Sequence, residues 1–301
     1  MSHNFEEKRH WFLEHPVISG IGCLICYYIT LFILTYLLRP LLLQPTLAAG
    51  LTLFLTQVGL AAAFSLVIKA VLGSEYTIGF TGKNLAICVI MQSVLISASL
   101  ISMTVNEFNP AWYLHITSSA VLTALLLGAK SGAVEEILFR GIIASNMMRV
   151  WGQKPLGIYA VVILSSLIFG GTHILNCVWY DITPVLKWQM VCSFAVGMVF
   201  AAAYLRTGNL WGLILMHTLL ESAEYITATG CVSGNPIADY LSRSVSSTAA
   251  AASCLLIAAC LAVSLYLIRP AKQAEIRAVW NHSHPEEENT AVSVISQAVQ
   301  A

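Results

Sequence analysis

Long apolar runs without a charge constrain this chain more than any other feature. Val17–Leu38, Leu85–Met103 and Ser246–Ile268 contain no charged residue at all. A helix needs about 20 such residues to cross the hydrocarbon core of a bilayer. Charged residues make up only 10% of the chain and hydrophobic ones 57%, against about 25% charged in an ordinary soluble domain. A soluble fold could not cover so much apolar side chain with so little charge. The composition therefore predicts an all-α, polytopic transmembrane helical bundle. It excludes a disordered chain, a secreted disulfide scaffold and a nucleic-acid binder. The 15 basic and 15 acidic residues balance, so net charge implies no electrostatic partner. The lipid bilayer is the first expected partner.

About eight spans are expected: Val17–Leu38, Leu47–Leu72, Leu85–Met103, a long stretch from Trp112 to about Val150, Leu156–Asn176, Val185–Leu205, Leu210–Ala228 and Ser246–Ile268. Asn109-Pro110 marks a turn before the long stretch, because proline disfavours helix at the residue preceding it. That stretch would run about 58 Å at 1.5 Å per residue, twice a bilayer core. It is expected to kink, break or run into the interface at Gly128, Gly132 or Gly141. With eight spans and the N-terminus inside, eleven basic residues flank the inner side: Lys8, Arg9, Lys69, Lys83, Arg140, Arg149, Lys154, Arg206, Arg269, Lys272 and Arg277. Three flank the outer side: Arg39, Lys187 and Arg243. Splitting the long stretch into two spans gives seven against seven. The positive-inside rule thus favours eight spans with both termini cytoplasmic. The units read as 1–16, a cytoplasmic segment; 17–110, the first helices; 111–228, a core; 229–268, a loop and last span; and 269–301, a polar, disordered tail. The first 16 residues are polar and mixed in charge, so no cleavable signal peptide is expected. Of the eight cysteines, Cys23, Cys26, Cys88, Cys192, Cys254 and Cys260 lie in apolar runs, where cysteine acts as a small hydrophobe.

Ionisable residues inside spans are costly and mark function. Three places carry them. In Ser131-Gly-Ala-Val-Glu135-Glu136-Ile-Leu-Phe-Arg140-Gly141, Glu136 and Arg140 stand four apart and can pair, whereas Glu135 lies about 100° round the helix. A structural ion pair at the membrane surface is the plainer reading; an unpaired carboxylate serving as a base is the functional one. Phe169-Gly-Gly-Thr-His173 ends a span, where a lone histidine is commonly interfacial. In His217-Thr-Leu-Leu-Glu221 two ionisable groups share a face, with Glu224 near by; a buried pair joining helices is the alternative. Together these residues suggest one polar cavity equipped for hydrolysis, with a base, an orienting cation and imidazoles for a developing oxyanion.

These motifs, Glu135-Glu136-x-x-x-Arg140, Phe169-x-x-x-His173 and His217-x-x-x-Glu221, resemble the three ordered motifs of the CAAX protease and bacteriocin-processing family of intramembrane proteases. That family includes the Ras-converting CAAX endopeptidases and bacterial abortive-infection relatives. Phe139-Arg140-Gly141 and the Leu205-to-Trp211 run before His217 share the likeness, which covers about residues 112–228. The third motif departs, with Glu221 where the family has Asn or Asp. The resemblance implies Glu135 as the base that activates water and Glu136 held by Arg140. It implies His173 and His217 orienting water or stabilising the oxyanion, with Glu221 beside them. It further implies a peptide or protein substrate, which the Ras-converting branch takes in prenylated form, and the plasma membrane of a prokaryote. No cofactor is expected. Zinc on Glu135, His173 and His217 is the weaker alternative, since no HExxH motif occurs and an arginine lies close. Two other functions compete. A non-catalytic bacteriocin-immunity or scaffold protein would not need both glutamates and both histidines. A proton-coupled transporter would be expected to show repeated halves, and no repeat is found. One geometric difficulty stands. As straight helices, His173 and His217 would differ in depth by about 15 Å. Either the helices tilt or Thr207-Gly208-Asn209 sinks into the membrane, which is tolerated beside a cavity.

Overall fold

The structure, a computed structural model, describes residues 2–42, 47–72, 79–93, 96–97, 118–178, 183–228 and 247–280. Every regular element among them is helical. Helix α1 is Ser2–Glu14, α2 Pro16–Leu37 and α3 Leu47–Leu72. Residues 85–93 are also helical. The central element, α4, runs Ser118–Trp151 without a break, its stretch Glu136–Ala144 wound as π-helix. Then come α5, Gly157–Thr172, with a 3-10 extension His173–Val178; α6, Pro184–Thr207; α7, Leu210–Ala228; α8, Ser247–Leu267; and α9, Pro270–Trp280.

The sequence sets the helix ends locally. Thr183 caps α6 by accepting the Leu186 N–H at 3.2 Å, and Pro184 occupies the first turn, where a missing N–H costs nothing. Gly208 closes α6 in the left-handed region at φ 62°, its N–H donating to the Tyr204 carbonyl at 2.7 Å. The next residues are buried: Asn209 Nδ2 donates to the carbonyls of Thr81 and Lys83, both at 2.6 Å, and Leu210 N–H to that of Gly79 at 2.8 Å. The 79–84 loop therefore satisfies the polar backbone of a turn that sits inside the protein.

Among the described residues, five helices are long and apolar enough to cross a membrane: Pro16–Leu37, Ala48–Ala70, Gly157–Asn176, Pro184–Thr207 and Ala250–Leu267. Their outer faces stay apolar, with Phe32, Leu55, Leu66 and Leu255 exposed. The bundle is thus polytopic and all-helical. Helices α4 and α7, which carry the ionisable residues, pack on each other more extensively than any other pair. Helix α4 is also in contact with α2, α3, α5 and α6, and α8 packs on α6.

Three expectations change. The long helix does not break at its glycines. A Cβ on Gly128 would come within 2.6 Å of the Ser222 backbone N, and one on Gly132 within 2.7 Å of the Thr218 backbone N. Both glycines serve close approach of α7, while Gly141 lies within the π-helical stretch. The polar tail is not wholly irregular either. Residues Pro270–Trp280 form α9, which docks by burying Ile276 and donating the Trp280 Nε1–H to the Leu205 carbonyl at 2.9 Å. Its pattern of one apolar residue per turn was too short to stand out among charges. Finally, Arg140 is buried and does not flank a span. The Asn109-Pro110 turn, the Gly230–Arg243 loop, the end of the third span and residues 281–301 lie outside the described residues.

Candidate active site

The site lies where α4 meets α6 and α7. The π-helical stretch brings Glu136 and Arg140 to bear on both neighbours, and all nine of its residues are buried. π turns are rare and often stand at functional sites. Arg140 Nη1 donates to Glu136 Oε1 at 2.9 Å, and Nη2 donates to the Gly197 carbonyl at 3.1 Å. Its guanidinium lies 4.5 Å from the Phe169 ring centre and 5.5 Å from that of Phe200, the geometry of cation–π contact. Gly197 makes this possible. A Cβ there would stand 2.8 Å from Phe169 and 3.3 Å from Arg140 Nη2.

His217, on α7, joins the pair from the other side. Its Nδ1 lies 2.7 Å from Glu136 Oε1. A carboxylate already accepting from Arg140 accepts here as well, so Nδ1 carries the proton. Nε2 then points at two further carboxylates, 3.5 Å from Glu135 Oε2 and 3.7 Å from Glu221 Oε1. Exposure divides the group. Glu136, Arg140 and His217 are 0%, 1% and 3% exposed, whereas Glu135 and Glu221 keep 26% and 23%. Among the described residues, Glu135 Oε2 has no hydrogen-bond partner in the protein. A sealed ion pair thus orients an imidazole, and the imidazole faces two partly exposed carboxylates.

His173 stands apart. Its Nδ1 lies 3.1 Å from the Phe169 carbonyl and its Nε2 3.2 Å from Ser193 Oγ. Phe169 separates the two imidazoles, 5.3 Å from His173 and 6.1 Å from His217 between ring centres. Phe169, a turn before His173, is the residue whose ring meets that of His217, and Thr207 and Asn209, in the turn that precedes α7, are buried. The set considered for zinc, Glu135, His173 and His217, does not converge. Among the described residues, no three His, Cys, Asp or Glu side chains are arranged to hold a metal ion.

Sequence reading missed Gly197, Phe200 and Ser193. Their signal was a glycine flanked three residues either side by phenylalanine, Phe194 and Phe200, in an otherwise unremarkable apolar helix.

Fold and site together define a multi-pass helical membrane protein with a buried cluster of glutamate, arginine and histidine side chains between its helices. Residues 117–223 match the family model described as type II CAAX prenyl endopeptidase Rce1-like. The matched segment contains all three motifs, and it bears out the resemblance to the CAAX protease family. No curated protein and no solved structure matches the chain.

Proposed function

We propose that this protein is an intramembrane endopeptidase that hydrolyses a peptide bond by glutamate-activated water. Glu135 takes a proton from the water, and the resulting hydroxide adds to the scissile carbonyl. His217 acts as an imidazolium, flanked by three carboxylates: its Nε2–H donates to the developing oxyanion while its Nδ1–H stays bonded to Glu136. Glu135 then delivers its proton to the leaving amine. Arg140 fixes Glu136 and does not touch substrate. Glu221 lines the same opening, and His173 forms the wall beyond Phe169. The substrate is a membrane-associated peptide or protein, and the family match makes a prenylated one the first to try.

The observation that carries this reading is the contrast between adjacent glutamates: Glu136 is sealed, with its Oε1 shared by Arg140 and His217, while Glu135 keeps 26% of its side chain exposed, pairs with no arginine or lysine among the described residues and sets its Oε2 3.5 Å from His217 Nε2. A base needs both access and freedom from a fixed cation. The test is purified protein in detergent with quenched peptides, with and without a prenylated cysteine, beside Glu135→Gln. Wild-type cleavage that Glu135→Gln lowers by at least about a hundredfold supports the reading. Equal turnover by both proteins rejects it.

A further inference from the structure

The π-helical stretch ends at a contact that the chemistry above does not use. Ser145 is the first residue after it, and its N–H donates to the Arg140 carbonyl five residues back. Its hydroxyl donates to that same carbonyl at 3.0 Å. The one hydroxyl proton of Ser145 is then spent, so the Tyr204 hydroxyl, 2.9 Å away, donates to Ser145 Oγ. All three residues are buried.

Tyr204 is itself held from outside. Its ring lies 5.3 Å from that of Trp280, in edge contact. A Cβ on Gly79, which has φ 76°, would fall 2.8 Å from the Tyr204 hydroxyl. Backbone of the 79–84 loop thus closes over the phenol, and α9 braces its ring. Tyr204 and Arg206 stand two apart on α6, and Arg206 reaches Glu275 of α9 at 2.9 Å.

We propose that Ser145 and Tyr204 are positioning residues for the active site: their paired hydroxyls hold the π register at Arg140, and so aim Arg140 and Glu136 at His217. Three features argue for more than packing. The bonds converge on the backbone of Arg140, whose side chain organises the site. A serine after a helix interior ordinarily bonds four residues back, and here the bond goes five back, matching the π pattern. The pair also links the site to α9, a helix that contributes no group to the chemistry.

This inference rests on the proteolytic reading only for its activity arm. Ser145→Ala, Tyr204→Phe and the double variant each remove hydroxyls and little volume. We expect kcat to fall about tenfold to a hundredfold, with KM changed less than about twofold, because misaimed groups cost turnover and leave uniform binding intact. The double variant should fall no further than the worse single one. Amide exchange over residues 136–145 should quicken at least about tenfold in Ser145→Ala, with no change in the α7 amides. Unchanged kcat in both single variants, or a KM rise alone, overturns the proposal. So does exchange over 136–145 equal to wild type. Should the wild-type protein cleave no peptide, the proteolytic reading fails, and the exchange measurement still decides whether Ser145 holds the π register.

Discussion

Glu135 and Glu136 are adjacent, yet the helix turns them into different surroundings. Glu136 is wholly buried between Arg140 and His217, so its loss leaves a guanidinium in the protein interior without its carboxylate. Breaking a buried pair from one side costs about 3–5 kcal/mol. Glu136→Gln is therefore expected to lower the melting temperature in detergent and the yield of folded protein, besides activity. Glu135→Gln leaves the Arg140 pair intact and should melt close to wild type while losing hydrolysis. Thermal melts of the two variants side by side check this; equal destabilisation would mean that Glu135 also serves structure. The four-residue spacing made the Glu136–Arg140 contact legible from sequence, because i and i+4 share a helical face. The nearest carboxylate to His217 was not legible in that way. Spacing pointed to Glu221 on its own helix, and tertiary packing brings Glu136 closer, 2.7 Å against 3.7 Å. Local periodicity does not encode contacts between helices.

At the scale of elements, the α4–α7 crossing depends on glycine. Space for a Cβ is missing at Gly128, where it would meet Ser222, and at Gly132, where it would meet Thr218. Overpacking of this kind costs about 1–3 kcal/mol or more. Gly128→Ala is expected to destabilise and to impair activity by separating His217 from Glu136. Gly59→Ala in α3 is the control: nothing lies within 4 Å of the added atom, and alanine suits a helix better than glycine by about 1 kcal/mol. Melting curves should move in opposite directions, or not at all for Gly59→Ala. The sequence showed these glycines but not their use, since a break and a close approach leave the same letter. Helix α9 adds a pH-dependent contact. The Glu275 carboxyl is held below the usual carboxylate range, first by the Lys272 hydrogen bond and then by Arg206. A depressed carboxyl contributes stability above its unfolded pKa, and that contribution is lost as pH falls through the lowered folded value. Docking of α9 should therefore weaken only in acid. The effect is small, because Glu275 is half exposed. Trp280 fluorescence against pH should show a transition below the ordinary carboxylate range that Glu275→Gln removes.

For the whole molecule, packing decides which ends lie together. Arg277 Nε donates to the Gly152 carbonyl at 3.0 Å, Arg206 pairs with Glu275, and Asn84 Nδ2 reaches the Thr207 carbonyl at 3.2 Å. These contacts gather the 79–84 loop, the α4–α5 turn, the α6–α7 turn and α9 at one end of the bundle. Helix α1 packs against Ser145–Trp151 at that same end. Both ends of the described chain thus meet on one side, as they do with any even number of crossings. The continuity of Ser118–Trp151 argues against dividing that stretch into two spans. The gathered end carries Lys83, Arg149, Lys154, Arg206, Arg269, Lys272 and Arg277. Burial withdraws Arg140 from the inner count and leaves ten basic residues against three, still a strong bias. On that bias the positive-inside rule predicts that this end faces the cytoplasm. A reporter fused after Ala301 leaves α9 intact and should be active in the cytoplasm. One inserted between Gly230 and Arg243 should report the outside, because only α8 separates that loop from α9. Inversion of both signals would reverse the orientation while keeping the helix order. Cytoplasmic signals at both sites would mean that α8 does not cross, and the even count would fall with it.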